Sequence, residues 1–272
     1  MAGNRQTARA PSVASVFERI VCGVDETPAS LDAVRQAVRL RVPDGTFHLL
    51  GAVYLAGAVA AGWSATRIAA ELEREGADAL RRAAELGGPN ATKRLVNGPA
   101  VQCLLAELER EHATLVAVGT HGLSRAAGIL LGGVATTMLH EAPCSVLIAR
   151  PCPEPELFPR SLVIGIDGSA ESLLAAAAAR ELRDRLGADL RALVATGGKP
   201  VEVDRLAESA LELEWQEQAP AEALAAASQD VDLLVVGSRG LHGFRALGSV
   251  SERVAHRARC SVLVVRSQPA SE

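Results

Sequence analysis

An internal repeat is the feature that most restricts the fold of this 272-residue chain. Three segments occur twice in the same order: RIVCGVDETPAS (19–30) aligns with LVIGIDGSAES (162–172), LVAVGTHG (115–122) with LLVVGSRG (233–240), and APCSVLIAR (142–150) with ARCSVLVVR (258–266). The offset between the copies is 142 residues at Asp25 and Asp167 but 118 at Gly119 and Gly237. The second copy has therefore lost 24 residues between these landmarks. We expect one structural unit that is present twice, with the loss confined to one element.

Each copy alternates short strands rich in Val, Ile and Leu with helical segments. The strands are predicted near 19–24, 46–53, 91–96, 114–119 and 144–149 in the first copy, and near 161–166, 189–194, 211–216, 232–236 and 261–265 in the second. The long helical stretch at 63–86 has no counterpart in the second copy beyond a stub near 201–209. This alternation predicts an α/β fold in which each copy is a five-stranded parallel sheet of nucleotide-binding type, covered by helices on both faces.

The domain boundaries follow from the repeat and from the prolines between its copies. Copy one is expected at 19–150 and copy two at 161–267, with a Pro-rich linker at 151–160 that cannot continue a helix or a central strand. The segments 1–18 and 268–272 are predicted to be disordered tails.

Composition excludes several classes of function. The formal net charge is −4, and the chain has no basic stripe interleaved with aromatic residues, so we expect no nucleic-acid binding. The longest apolar run, residues 49–63, is shorter than the about 20 residues that a membrane span needs. Residues 1–17 lack the apolar region of a secretory signal, and the five cysteines lack zinc-ligand spacing. These observations predict a cytoplasmic protein with no membrane association.

Four glycines lie between the end of the fourth strand of copy one and the start of the next helix. Gly119, Gly122, Gly132 and Gly133 have the spacing G-x2-G-x9-G-G, and Asp25 ends the first strand. Ligands bind at the carboxyl ends of parallel strands, and glycine lets backbone N–H groups approach an anion at a helix start. The alternative is that the glycines only make tight turns while Asp25 caps the following helix. The repetition of both features in copy two favours a nucleotide site.

Copy two retains this constellation in altered form. It has Asp167, Gly237, Gly240, Gly248 and Ser249, but seven residues separate its second and third glycines instead of nine. Neither copy has G-x-G-x-x-G after its first strand, and GK[ST] is absent, so neither a Rossmann nor a Walker site is expected.

At these residues the chain resembles the universal stress protein family in its tandem two-domain form. ATP-binding members carry G-x2-G-x9-G-[S/T] after the fourth strand and an aspartate at the end of the first. Copy one departs at Gly133, which replaces the Ser or Thr, and copy two departs in its shortened loop. The resemblance implies ATP, with or without Mg, as the bound cofactor, and Val53 and Val194 as adenine contacts. It also implies that CSVLIAR and CSVLVVR pair the copies into an internal pseudo-dimer, whereas a further homodimer is left open.

Three functions are compatible with these sequence features. The first is an ATP-binding stress-response protein that acts as a sensor or regulator and is not a turnover enzyme. The second is an interaction scaffold of the same fold whose degraded sites no longer hold nucleotide, with a protein partner that the sequence does not identify. The third is a slow ATP hydrolase or nucleotidyl transferase, although each copy supplies only one aspartate as a candidate base. Because copy one keeps the nine-residue loop, it is expected to bind ATP more tightly than copy two.

Overall fold

A computed structural model describes residues 16–54, 65–120, 131–198, 201–238 and 249–267. Ten strands form one sheet in the order β3-β2-β1-β4-β5-β10-β9-β6-β7-β8. The strands are β1 Arg19–Val24, β2 Thr46–Val53, β3 Ala91–Asn97, β4 Leu115–Gly119, β5 Ser145–Ala149, β6 Ser161–Gly165, β7 Asp189–Ala195, β8 Leu213–Gln216, β9 Leu233–Ser238 and β10 Ser261–Arg266. The predicted strands are all present, with ends that differ by at most two residues.

Helices cover both faces of this sheet. They are α1 Pro28–Leu40, α2 Ala65–Gly87, α3 Ala100–Arg110, α4 Gly133–Glu141, α5 Ala170–Leu186, α6 Val203–Leu206, α7 Pro220–Ala227 and α8 Ser249–Arg257. One buried cluster joins α1, α2 and α5 to one side of the strands, and the other joins α3, α4, α7 and α8 to the opposite side. We call these the α1 face and the α4 face. The three-layer α/β architecture confirms the predicted fold class.

The two copies are joined strand to strand. Within each copy the strands are parallel, and β1 and β6 are the central strands of their halves. Between the copies, β5 pairs with β10 in antiparallel register, with Leu147 opposite Leu263. The segments CSVLIAR and CSVLVVR therefore form the predicted internal pseudo-dimer. Because this pairing is antiparallel, the carboxyl ends of the strands in the two copies lie at opposite edges of the sheet.

Two buried arginines cross this seam in opposite directions. Arg150, just after β5, donates to the carbonyls of Ala255 at 2.6 Å and Cys260 at 3.1 Å, at the end of α8 in copy two. Arg266, at the end of β10, donates to the carbonyls of Leu139 and Ala142 at the end of α4 in copy one. Each copy thus supplies a cation to the negative end of a helix in the other.

The residues missing from copy two are those of the long helix. In copy one, α2 packs against β2 and β3. In copy two, α6 and the 3₁₀ turn Ala207–Ser209 are the helical elements between β7 and β8 in the part of the chain that the structure describes. The stub predicted near 201–209 falls on these two short elements.

The amino-terminal boundary differs from the predicted one. Val16 and Phe17, which were assigned to the disordered tail, are buried in the core on the α1 face. The carbonyl of Phe17 accepts a hydrogen bond from the amide of Val42, and that of Glu18 accepts one from Thr46. The sequence did not reveal this, because Phe17 precedes the first apolar run and its partners are distant in the chain: its carbonyl bonds to Val42 and its ring lies against Arg185 of α5.

In the ranges that the structure describes, none of the helices has the length and apolar character needed to cross a membrane.

Candidate functional site

The candidate site of each copy lies where the strand order reverses. The chain leaves β1 toward β2 on one side and later returns to β4 on the other side, and β6, β7 and β9 repeat this arrangement. Such a reversal leaves a crevice outside the carboxyl ends of the two central strands. A cavity is found at each of these positions, on the α4 face.

The aspartates at the ends of β1 and β6 hold the turns that begin α1 and α5. Asp25 Oδ1 accepts hydrogen bonds from the amide of Thr27 at 2.9 Å and from its hydroxyl. Thr27 is the N-cap of α1 and accepts from the amide of Ser30. The alternative interpretation, that Asp25 caps the following helix, is thus correct in part: Asp25 holds the capping residue Thr27 in place and does not cap the helix itself.

Asp167 repeats this turn with serine in place of threonine. Its Oδ1 accepts from the amide of Ser169 at 3.0 Å and from the hydroxyl at 2.6 Å. Burial alone would raise the pKa of the Asp167 carboxyl, but hydrogen bonds from Ser169 and Ser172 outweigh it and hold the pKa below its ordinary value. The carboxylate at this cavity is therefore ionised at neutral pH.

Gly119 and Gly237 are required by a close approach of backbone. A Cβ atom at Gly119 would lie 2.6 Å from the carbonyl carbon of Ala29, and one at Gly237 would lie 2.3 Å from the carbonyl oxygen of Glu171. Both glycines also line the cavities. Their small size therefore serves helix packing on one side and leaves main chain exposed to the cavity on the other.

The start of α4 borders the copy-one cavity. Gly132 is its N-cap and lines the cavity, and among the described residues no side chain makes a capping hydrogen bond there. First-turn N–H groups of a helix have no intrahelical acceptor, so this end can receive an anion. A Cβ atom at Gly133 would meet nothing within 4 Å in the described arrangement, so steric crowding does not explain this glycine.

Four of the predicted residues cannot be placed in full. Gly122, Gly240 and Gly248 lie outside the described residues, and for Ser249 only its position as the first residue of α8 is described.

The proposed adenine contacts Val53 and Val194 lie on the wrong face of the sheet. A Cβ atom at Gly76 of α2 would lie 3.1 Å from Val53 Cγ1, and Val194 belongs to the core on the α1 face. Neighbouring residues in a strand point to opposite faces, so Ala52 and Ala195 line the cavities instead.

Strand pairing also corrects the alignment of the second strands. Gly23 pairs with Leu50 and Gly165 with Leu193, which makes Ala52 equivalent to Ala195. The repeat alignment could not supply this register, because the two second strands share no landmark residue.

Apolar side chains that the sequence analysis did not name form the floor of each cavity. These are Leu50, Leu104 and Val118 in copy one, and Leu193, Leu224 and Val236 in copy two. The glycine landmarks could have identified Val118 and Val236, which adjoin Gly119 and Gly237, but not Leu50 and Leu193, because β2 and β7 carry no landmark residue. Ser251 and Arg253 of α8 also line the copy-two cavity, and Ser251 donates a hydrogen bond to the carbonyl of Gly237 at 3.0 Å.

The two cavities differ in volume. The copy-one cavity measures about 90 Å³ and the copy-two cavity about 550 Å³. Small residues that follow β7 and precede α7 also line the copy-two cavity, namely Gly197, Gly198 and Ala219. Of these two cavities, the copy-two cavity falls within the roughly 300–1,000 Å³ that is typical of small-molecule sites, and the copy-one cavity falls below it. Within the described ranges, no group of three or more His, Cys, Asp or Glu side chains is arranged to hold a metal ion.

Comparisons with known proteins agree with the repeat and the fold. The sequence model of the universal stress protein family matches residues 17–150 and 202–266. Universal stress protein Rv2623 of Mycobacterium tuberculosis is 30% identical over 288 residues, which cover 91% of this chain and 96% of that protein. The crystal structure of a universal stress protein from Archaeoglobus fulgidus has a TM-score of 0.71 at 19% identity, covering 94% of this chain and 99% of that one.

Proposed function

The chain belongs to the universal stress protein family, and from that premise we propose that it binds ATP and acts as a sensor or regulator in the stress response. The observation that supports this most is the copy-two cavity, which combines a suitable volume, an apolar floor and an ionised carboxylate at its rim.

The described residues fit the parts of a nucleotide. Leu193, Leu224 and Val236 offer an apolar surface to an adenine ring, and Asp167 offers an acceptor to ribose hydroxyls. The start of α8 and Arg253 offer positive charge to phosphates. When bound, ATP would supply a signal of energy state, and the residues named here only hold and orient it.

We rank the copy-two cavity above the copy-one cavity. The glycine-loop spacing predicted the opposite ranking, with tighter ATP binding in copy one. Loop spacing carries no information on the volume of the cavity, and it is the volume that differs between the copies. At about 90 Å³ the copy-one cavity is too small for a whole nucleotide unless its walls separate. Its Asp25 and the start of α4 retain the chemistry of a second, weaker site.

We expect no efficient turnover of ATP. Among the described lining residues each cavity has one carboxylate, Asp25 or Asp167, and both already hold a turn. A general base must be free to take a proton from water. Any Mg would therefore be held mainly by phosphates and water. ATP hydrolysis measured by phosphate release should stay well below about 1 per second, and a faster steady rate would establish the hydrolase alternative.

The test of nucleotide binding is mass spectrometry of the purified full chain after denaturation. ATP released in a substantial fraction of one equivalent, with little GTP, is the expected result. A preparation that releases no adenine nucleotide, and that also fails to bind added ATP, would favour the scaffold alternative.

A further inference from the structure

Loss of the long helix changes the α1 face of copy two. In copy one, α2 covers Leu95 of β3: a Cβ atom at Gly76 of α2 would lie 2.9 Å from Leu95 Cδ1. Gly51, which pairs with Leu95, approaches Leu80 of the same helix in the same way, at 3.1 Å. The outer strands of copy one are thus sealed by a helix.

Trp215 occupies the position of Leu95 in copy two. Equivalence of Leu50 with Leu193 makes Gly51 equivalent to Val194, and Val194 pairs with Trp215. Leu213, two residues before Trp215, packs against the core of the α1 face, so the tryptophan points to that face as well. Its exposed fraction is nevertheless 53%.

A second apolar side chain is exposed on the segment that replaces α2. Val203 of α6 is 58% exposed, while Leu206 of the same turn is buried in the core of the α1 face. Two of the four exposed large apolar side chains in the described ranges therefore lie on this part of copy two. We call α6, the turn Ala207–Ser209 and β8 the β8 face.

Acidic residues surround the β8 face. The stretch 201–217 contains six carboxylates and one guanidinium: Glu202, Asp204, Glu208, Glu212, Glu214 and Glu217 against Arg205. Alternation around Trp215 places Glu212 and Glu214 on the opposite side of the sheet, where Glu214 pairs with Arg191 of β7 at 2.7 Å. On the side of Trp215, the carboxylates of Glu202, Asp204, Glu208 and Glu217 outnumber the guanidinium of Arg205, so that surface is acidic. A partner that buries Trp215 must carry compensating positive charge.

We propose that the β8 face is a docking surface for a basic amphipathic helix of another protein, which lies where α2 lies in copy one. Copy one shows how such a helix can lie, because α2 packs on the equivalent strands β2 and β3. The carboxylates supply the charge preference. A second copy of this chain is a poorer occupant, because pairing β8 with itself would bring Glu212, Glu214 and Glu217 of two chains together.

The test uses a fluorescein-labelled 23-residue helical peptide that keeps the apolar positions of α2 and carries Lys or Arg at its outer positions. Binding to the full chain is followed by fluorescence anisotropy. Trp215→Ala should weaken binding by roughly tenfold or more, as expected for a central aromatic anchor. Leu157→Ala removes a linker side chain of similar exposure, 54%, and should leave binding unchanged.

Two further measurements separate specific docking from simple charge attraction. A peptide of the same composition in scrambled order should bind much more weakly, and Asp204→Lys with Glu217→Lys should abolish binding of the basic peptide. The proposal is overturned if Trp215→Ala has no effect, or if the scrambled peptide binds equally well. A concentration-dependent dimer in sedimentation that Trp215→Ala abolishes would overturn it too, since the face would then belong to a second copy.

Discussion

At the scale of single residues, glycines of one motif have different roles. Gly119 and Gly237 permit a helix start to approach the end of a strand, whereas Gly133 faces open space in the described arrangement. Their spacing and repetition favoured phosphate approach over tight turns, without distinguishing one glycine from another. Spacing could not separate the roles, because the contacting residues Ala29 and Glu171 lie far away in the chain.

Gly237→Ala should therefore destabilise the protein, whereas Gly133→Ala should not. The new methyl group at position 237 would lie 2.3 Å from the carbonyl oxygen of Glu171, so backbone must shift, at a cost of about 1–3 kcal/mol. At position 133 the methyl group meets no atom within 4 Å, and alanine favours the helix. The free energy of unfolding in urea measures both. Equal losses in the two variants would contradict the packing role of Gly237.

At the scale of helices and strands, the sequence was sufficient for most of the fold. Alternation of apolar strands with helices predicted the elements, and the shifting offsets predicted the loss of α2 from copy two. The face of β2 that lines the cavity was not predictable, because a shift of one residue exchanges Val53 for Ala52. Both residues are small and apolar, so their chemistry could not decide between the two registers.

A carboxylate on α3 makes one connection between these elements dependent on pH. Glu107 is 3% exposed and accepts hydrogen bonds from Arg110 and, at 2.8 Å, from Arg94 of β3. Burial raises the pKa of Glu107, but the two guanidinium groups outweigh it and hold the pKa below its ordinary value. A lowered folded-state pKa contributes stability above the unfolded value of about 4.3, which is lost as pH falls through the folded value.

Glu107→Gln should lower the urea midpoint at pH 7, and the difference from the unchanged protein should shrink as pH falls from about 5 to 3. Glu109→Gln, on the exposed side of the same helix, is the matched control and should have little effect at any pH. A difference for Glu107→Gln that stays constant down to pH 3 would show that the ion pair is not its cause.

At the scale of the whole molecule, the seam between the copies rests on more than strand pairing. The sequence predicted the pairing of β5 with β10. It did not predict that the arginine at the end of β10 and the one just after β5 each bind the helix end of the other copy. The residues Arg150 and Arg266 are visible in the aligned segments, yet their targets depend on the packing of α4 and α8. Burial lowers the pKa of both guanidinium groups, although neither approaches its titration range at neutral pH.

Arg266→Met should cost about 2–4 kcal/mol of unfolding free energy, because it leaves the buried carbonyls of Leu139 and Ala142 without their donor. The control is Arg183→Met on the outer surface of α5, where the side chain is partly exposed and pairs with Asp184. Urea unfolding of both variants measures the difference. A loss below about 0.5 kcal/mol for Arg266→Met would contradict a stabilising role at the seam.

We propose that the chain binds ATP and that the copy-two cavity is its main site. Calorimetric titration with ATP of two matched variants, Ala52→Trp and Ala195→Trp, tests this most directly, since these equivalent alanines each line one cavity. We expect Ala195→Trp to weaken binding at least about tenfold, or about 1.4 kcal/mol, and Ala52→Trp to leave the main binding event intact. Loss of binding in Ala52→Trp alone, or an unchanged protein that binds no ATP, would contradict it.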